Sequence, residues 1–280
     1  MKRLNYIFGV VAAFYLTGCA NLQPVRDFAN ASAELSSYTQ LTDRFNTTYE
    51  RERLYLSGPV DARAQTNDKK RKAAYVDLVR VHQTASLYMQ TLAKLAGEDT
   101  YDLSGEIKGI SGGIKAHPDF GVSAAHVDAV ANITTLITKW AMAGLQEKAV
   151  KEMVREGDAS FQLLLAGMQD LVRLYSKTNE NEKKRVLGFF EVELLYADTP
   201  KDRLLATLAR VHEDAKRREY EQAQPLYLSA EKGLQKVADG HRELVKHLDD
   251  LSGSDLQKSL KVLTKDIKNL SKSIQTVSSI

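Results

Sequence analysis

Residues 230–251 read AEKGLQKVADGHRELVKHLDDL, and Ala230, Leu234, Val237, His241, Leu244, Leu248 and Leu251 recur within them at alternating steps of four and three. That spacing lines one face of an α-helix. Downstream, Ser252-Gly253-Ser254 marks a turn, and Ser254 with Gln257 matches a capping box that opens a last helix. Leu256, Leu260, Leu263, Ile267, Leu270, Ile274 and Val277 carry the same stepping through it. Upstream, Pro225 is expected to break or kink the chain, because it lacks an amide donor and crowds the preceding turn.

The pattern extends toward the N-terminus. Thr199-Pro200-Lys201-Asp202 reads as a helix start, with Thr as N-cap and Pro at the first position, and Leu204, Leu208, Val211 and Ala215 follow as a stripe. Val186, Phe189, Phe190, Leu194 and Leu195 form another helix, set off by the polar run Lys177 to Lys184. Val154, Phe161, Leu164, Met168, Leu171 and Tyr175 make a stripe out of phase with Val127, Val130, Thr134, Ile137 and Ala141, so a bend is expected between Gly144 and Lys151. Helical patterning there resumes near Ser123. Phe28, Ala31, Leu35, Tyr38, Thr42, Phe45 and Tyr49 line a first helix that Ser57-Gly58-Pro59 ends. A second, beginning after Asn67, carries Ala74, Leu78, Val81, Ala85, Tyr88, Leu92 and Leu95, with Gly97 placed for a left-handed cap. Residues 100–122 hold five glycines and Pro118, which predicts an irregular segment.

No period-two alternation persists between turns. The chain reads as all-α, an elongated antiparallel helical bundle with coiled-coil-like heptad stripes. Charged residues make up 27% and hydrophobic ones 43%, ordinary values for a folded domain, and the +3 formal charge gives no global basic excess that implies nucleic acid.

The N-terminus carries a different signal. Lys2 and Arg3 precede the apolar run Ile7 to Leu16, and small Gly18 precedes Cys19, the single cysteine. A positive start, an apolar stretch and a small residue before the cut define a secretory signal. The run is too short to span a membrane, which takes about 20 apolar residues. Leu16-Thr17-Gly18-Cys19 resembles the lipobox of bacterial lipoproteins. The resemblance covers residues 1–19 and implies cleavage between Gly18 and Cys19, with acyl groups such as palmitate on Cys19. It divides the chain into a signal peptide (1–18), a lipidated tether (19–24) and a helical domain (25–280). Ala20 is unlike the aspartate that retains such proteins at the inner membrane, which implies the outer membrane where there are two. With Cys19 acylated no thiol remains for a disulfide, so packing alone must hold the fold.

Catalytic patterns are thin. Among His82, His117, His126, His212, His241 and His247 no two lie three or four residues apart, and no Glu-x-x-His occurs. His241 sits on an apolar stripe with Asp239 and Glu243 off its face, which reads as a core histidine. His247 has Glu243 and Asp250 at helical spacing, which reads as a surface ion-pair cluster. Gly109-Ile110-Ser111-Gly112-Gly113 matches a nucleophile elbow in letters, without the strand that such an elbow needs. Glu191 and Glu193 diverge around a helix, and the phosphate-cradling glycine loops are absent. No cofactor or metal is expected.

Two features admit a contact role. Lys258, Lys261, Lys265, Lys268 and Lys272 line the last helix opposite its apolar stripe, and from Leu256 onward only Asp266 opposes them. They read either as a solvated face or as a contact to an anionic surface. In the glycine-rich segment, Ile107, Ile110 and Ile114 either meet a partner or fold over the bundle. Lys69-Lys70-Arg71-Lys72 reads as solvated surface. The sequence therefore points to a lipid-anchored envelope protein acting as a non-enzymatic interaction or scaffold module, joined to an envelope partner or to itself. The alternatives are a binder of anionic lipid or polymer, and an enzyme or metalloprotein whose site is assembled between helices.

Overall fold

The computed structural model describes residues 21–97, 102–143, 147–197 and 200–277, without the side chains of 36, 273 and 275–277. Among the described residues there are nine α-helices and no strand; a lone bridge joins His117 and Val122. The helices are α1 Gln23–Ala33, α2 Thr39–Asn46, α3 Thr48–Glu52, α4 Gly58–Leu95, α5 Ser104–Ile110, α6 Ala124–Trp140, α7 Glu147–Ala197, α8 Arg203–Lys246 and α9 Ser254–Val277. At 1.5 Å per residue, the 51 residues of α7 span about 76 Å.

Cross-helix pairs set the directions. Gln162 reaches the Ala238 carbonyl and Tyr220 reaches Glu182, so α7 and α8 are antiparallel. Lys236 meets Asp266, so α9 folds back along α8. Phe28 lies against Gly240, and Tyr38, just past α1, against Gly233, so α1 runs parallel to α9. These contacts are very close: a Cβ on Gly240 would lie 2.2 Å from the Phe28 ring. Glycine is required there for want of space, not for backbone freedom. The main core joins α1, α4, α6, α7, α8 and α9 around Phe28, Tyr88, Phe161 and Leu234.

Several expected boundaries move. The first stripe stays buried from Phe28 to Phe45, but its helix is broken by a 3₁₀ turn at Glu34–Tyr38 and again at Thr47. Local hydroxyls explain this: Ser37 bonds the Glu34 carbonyl, Thr47 that of Asp43 and Thr48 that of Phe45, in competition with the helical ladder. Pro59 opens α4 instead of only closing what precedes it, because Ser57 is extended and proline is tolerated in a first turn. Gly97 is not left-handed; it lies against the Arg26 side chain.

The glycine-rich segment contains α5, and Ile110 and Ile114 are buried with Ile107 packed beside them, so the isoleucines fold over the bundle. Arg80 to the Gly113 carbonyl (2.9 Å) and His117 to Asp77 (2.7 Å) fasten it to α4. The expected bend near 144–151 falls at the break between α6 and α7. By contrast, α7 continues through Lys177 to Lys184, because Asn179 and Glu182 face inward to polar partners. α8 passes through Pro225 without interruption and starts after Asp202, while Thr199 lies outside the described residues. It stops at Lys246, and Leu251 is buried from the turn beyond. The Ser254–Gln257 capping box does not form; Gln257 Nε2 donates to the Ser252 carbonyl at 2.8 Å. The capping box that does form pairs Ser123 with His126. None of the described helices is long and apolar enough to cross a membrane.

Candidate functional site

Gly18 and Cys19 lie outside the described residues. Leu22 is already buried and α1 starts at Gln23, so the folded body begins three residues after Cys19. Around this near end gather the start of α9, the turn after α8 and the start of α7, where Lys151 bonds the Asp249 carbonyl.

The five lysines of α9 are all exposed. Asp266, the acid that would oppose them, is drawn aside to Lys236 at 2.9 Å. Lys258 keeps a long contact of 3.8 Å to Asp255. Lys258 and Lys261 line a groove of about 450 Å³ with Pro24, Asp27 and Thr264, which sets them beside the entry of α1. The periodic charge is legible in the sequence, and the fold places its first two members next to Pro24 and Asp27 at the start of α1.

The far end departs from the expected packing. The stripe Leu204, Leu208, Val211 and Ala215 faces solvent, with Leu204 74% exposed. The side of α8 that meets α7 is made instead of small Ala206, which is buried, and Ala209. On α7, Val186 and Phe190 turn inward, while Val192, Leu195 and Tyr196 are more than half exposed. The two arms are held by a small separate core of Val186, Phe190 and Tyr220, backed by Tyr55, Leu194 and Ala209. Tyr55 also stacks on His212, with its hydroxyl 2.7 Å from Nε2. The available signal was the pair of alanines opposite the leucines, which marks the side where two backbones approach closely.

Between the ends lies a polar interior that the sequence pattern does not show. Arg51 grips Glu182 through two hydrogen bonds of 2.8 Å, and Tyr220 donates to the same carboxylate at 2.9 Å. Arg185 meets the buried Glu52 at 2.8 Å, and Arg44 bridges Asn179 and Glu219. Arg71, expected on the surface, is buried against Phe45, and burial lowers its pKa. Its neighbours Lys69, Lys70 and Lys72 are exposed.

Nearer the start of α1, His241 is wholly buried. Its Nδ1 lies 3.0 Å from Asp158, and its Nε2 lies 2.9 Å from the Tyr88 hydroxyl. Burial lowers the pKa of His241 against the opposing pull of Asp158, and the hydrogen bond from His241 depresses that of Asp158. The order Asp-His-Tyr has the form of a proton relay, yet both Tyr88 and His241 are sealed in the core and join α4, α7 and α8. Ser111 is exposed on the turn after α5 and donates to the Lys108 carbonyl. His247 lies 4.0 Å from Glu243. Among the described residues no three His, Cys, Asp or Glu side chains are placed to hold a metal ion. Compared with protein-family models, curated proteins and solved structures, the chain matches none.

Proposed function

We propose that this chain is a lipid-tethered helical contact module of the bacterial cell envelope, held at Cys19 and working through the surface at its far end. The observation that carries the reading is the opposition of the two ends. The body begins at Leu22, and the solvent-facing stripe Leu204, Leu208, Val211 and Ala215 lies toward the other end of a bundle whose α7 spans about 76 Å. The three steps from Cys19 to Leu22, across Ala20 and Asn21, reach about 10 Å when extended, so the near end stays close to the bilayer. Exposed apolar surface of this kind marks interaction sites. Ala20 favours the outer membrane where the cell has two. The module acts by contact, with an envelope protein or itself as partner.

Fractionation and site-specific cross-linking test it together. The full-length chain should sediment with membranes and leave them only in detergent, while Cys19→Ala should be released. A photo-cross-linker at Leu208 should capture a protein partner. Membrane release of the unaltered chain by salt alone, or a Leu208 probe that captures nothing, overturns the reading.

A second reading rests on the α9 lysines, five exposed cations on one helix, with Asp266 turned to Lys236 and Asp255 3.8 Å from Lys258. In it the body lies along an anionic surface. Flotation of the acyl-free chain with anionic vesicles at low salt, lost when the five are changed to Gln, supports it; no flotation sinks it.

A further inference from the structure

The five lysines of α9 do not stand alike. Lys258 and Lys261, one turn apart, border the groove of about 450 Å³ whose other wall is Pro24 and Asp27 of α1. That volume is on the scale of a small-molecule site. Lys265, Lys268 and Lys272 are exposed further along the helix and do not line it. Asp27, the acid in the groove, accepts its hydrogen bond from Gln23 at 2.6 Å and not from a lysine. Lys258 has only the long contact of 3.8 Å to Asp255, and among the described residues Lys261 has no ion pair.

Depth separates the lysines further. α9 starts at the groove and runs parallel to α1, away from the end where the folded body begins at Leu22. At 1.5 Å per residue, Lys268 lies about 15 Å beyond Lys258 along the helix, and Lys272 about 21 Å beyond it. Screening at physiological salt leaves a charged surface a reach of about 8 Å. A charged layer at the start of α1 therefore acts on Lys258 and Lys261 and leaves Lys268 and Lys272 outside its field.

We propose that this groove seats the phosphate of an anionic membrane lipid, so that Lys258 and Lys261 clasp the leaflet that holds Cys19 while the later lysines stay in water. The inference rests on the tethered reading and on the anionic-surface reading of α9, which it narrows from a whole face to one recess. The chemistry selects a phosphodiester, which brings one negative charge and a free oxygen for each ammonium. The tether selects its source. Cys19 lies within about 10 Å of Leu22, and the headgroup layer is about 5–8 Å deep on each side of the hydrocarbon. In the anchored chain, the groove beside Pro24 thus stands near headgroup level. A soluble anionic polymer is under no such restraint and would engage all five lysines alike.

Flotation of the acyl-free chain with vesicles of phosphatidylglycerol in phosphatidylcholine tests the recess. Lys258→Gln with Lys261→Gln should weaken partition about twenty-five-fold, at about five-fold per lysine, whereas Lys265→Gln with Lys268→Gln and Lys272→Gln should change it less than about three-fold. A triple variant that loses as much as the double overturns the recess and leaves the α9 face as a whole standing as the anionic surface. Flotation that neither variant changes, or that phosphatidylcholine alone supports, overturns both. The acylated full-length chain has no other thiol, so a fluorophore can be placed at Val262→Cys, beside Lys261, or at Lys272→Cys, about 15 Å further on. Spin-labelled headgroups should quench the first and spare the second. Equal quenching at the two positions overturns the proposal.

Discussion

The near body and the far hairpin use the same helices, α7 and α8, in opposite ways. Near Leu22, the two are enclosed by α1, α4, α6 and α9, and rings such as Phe28 and Tyr88 sit directly over glycines. Toward the other end they are held to each other by a core of three buried residues and leave leucines in water. The polar interior separates the two regimes: Arg51, Glu182, Glu52 and Arg185 occupy the place where aliphatic packing gives out. The body thus covers its own stripes, and the hairpin leaves one of its stripes in water. A helix pattern shows that a face is apolar; it does not show which molecule covers it.

The sharpest way to break this contrast is at the border. Glu182→Ala leaves the Arg51 guanidinium facing Tyr220 without its carboxylate, and stability should fall by about 3–5 kcal/mol. Replacing both partners, as Arg51→Met with Glu182→Leu, should recover most of that loss in urea denaturation. Recovery of none would mean that the pair sets the helix register as well as its stability.

Acid should act on the body next. Burial lowers the His82 pKa from 6.5 to about 4, so the unfolded chain takes up the proton more readily than the folded one. Stability is therefore full above pH 6.5 and falls as pH drops toward 4, by about 3 kcal/mol from this residue. His241 contributes in the same direction. Urea midpoints between pH 7 and pH 4 should show the slope, and His82→Gln should flatten it. An unchanged slope in that variant would assign the acid sensitivity elsewhere.

Gly240→Ala places a methyl 2.2 Å from the Phe28 ring, and should cost about 1–3 kcal/mol by overpacking. Adding Phe28→Leu should return part of it, read as the melting temperature of the double variant against each single one. The hairpin should respond least. Leu204→Ser with Leu208→Ser touches no packed neighbour and should leave monomer stability within about 0.5 kcal/mol. A larger loss would show that these leucines are packed within the chain.

The sequence pattern carried the fold class because every long stripe in the body has its own partner helix. The α4 stripe is buried as its spacing implies, from Ala74 to Leu95, and on α9 Leu256, Leu260, Ile267 and Ile274 are buried with Leu263 and Leu270 half-buried. Misplaced boundaries fall where side chains act across space. Lys177 to Lys184 looks like a linker because its letters are polar, yet Asn179 and Glu182 are interior, opposite Arg44 and Arg51 from well over a hundred residues earlier. Arg71 looks like surface for the same reason. The first turns of α4 leave no stripe to read, since of Gly58 to Asn67 only Ala64 is buried. At the candidate site, the α9 lysines were legible as a periodic charge. The α8 seam was legible as a stripe and not as a surface, because periodicity cannot distinguish a face covered by α7 from one that points away from it.

The ring-over-glycine seats also have a mechanical meaning. Tension between Leu22 and the hairpin loop runs along the helix axes, so α1 is loaded by sliding against α8 and α9, not by peeling from them. For α1 to slip by one residue, the Phe28 ring must leave the hollow at Gly240 while Tyr38 leaves the one at Gly233. Two detents on one rod must release at the same instant. The segment that opens the folded body is thereby latched to α8, the 44-residue helix that returns from the hairpin.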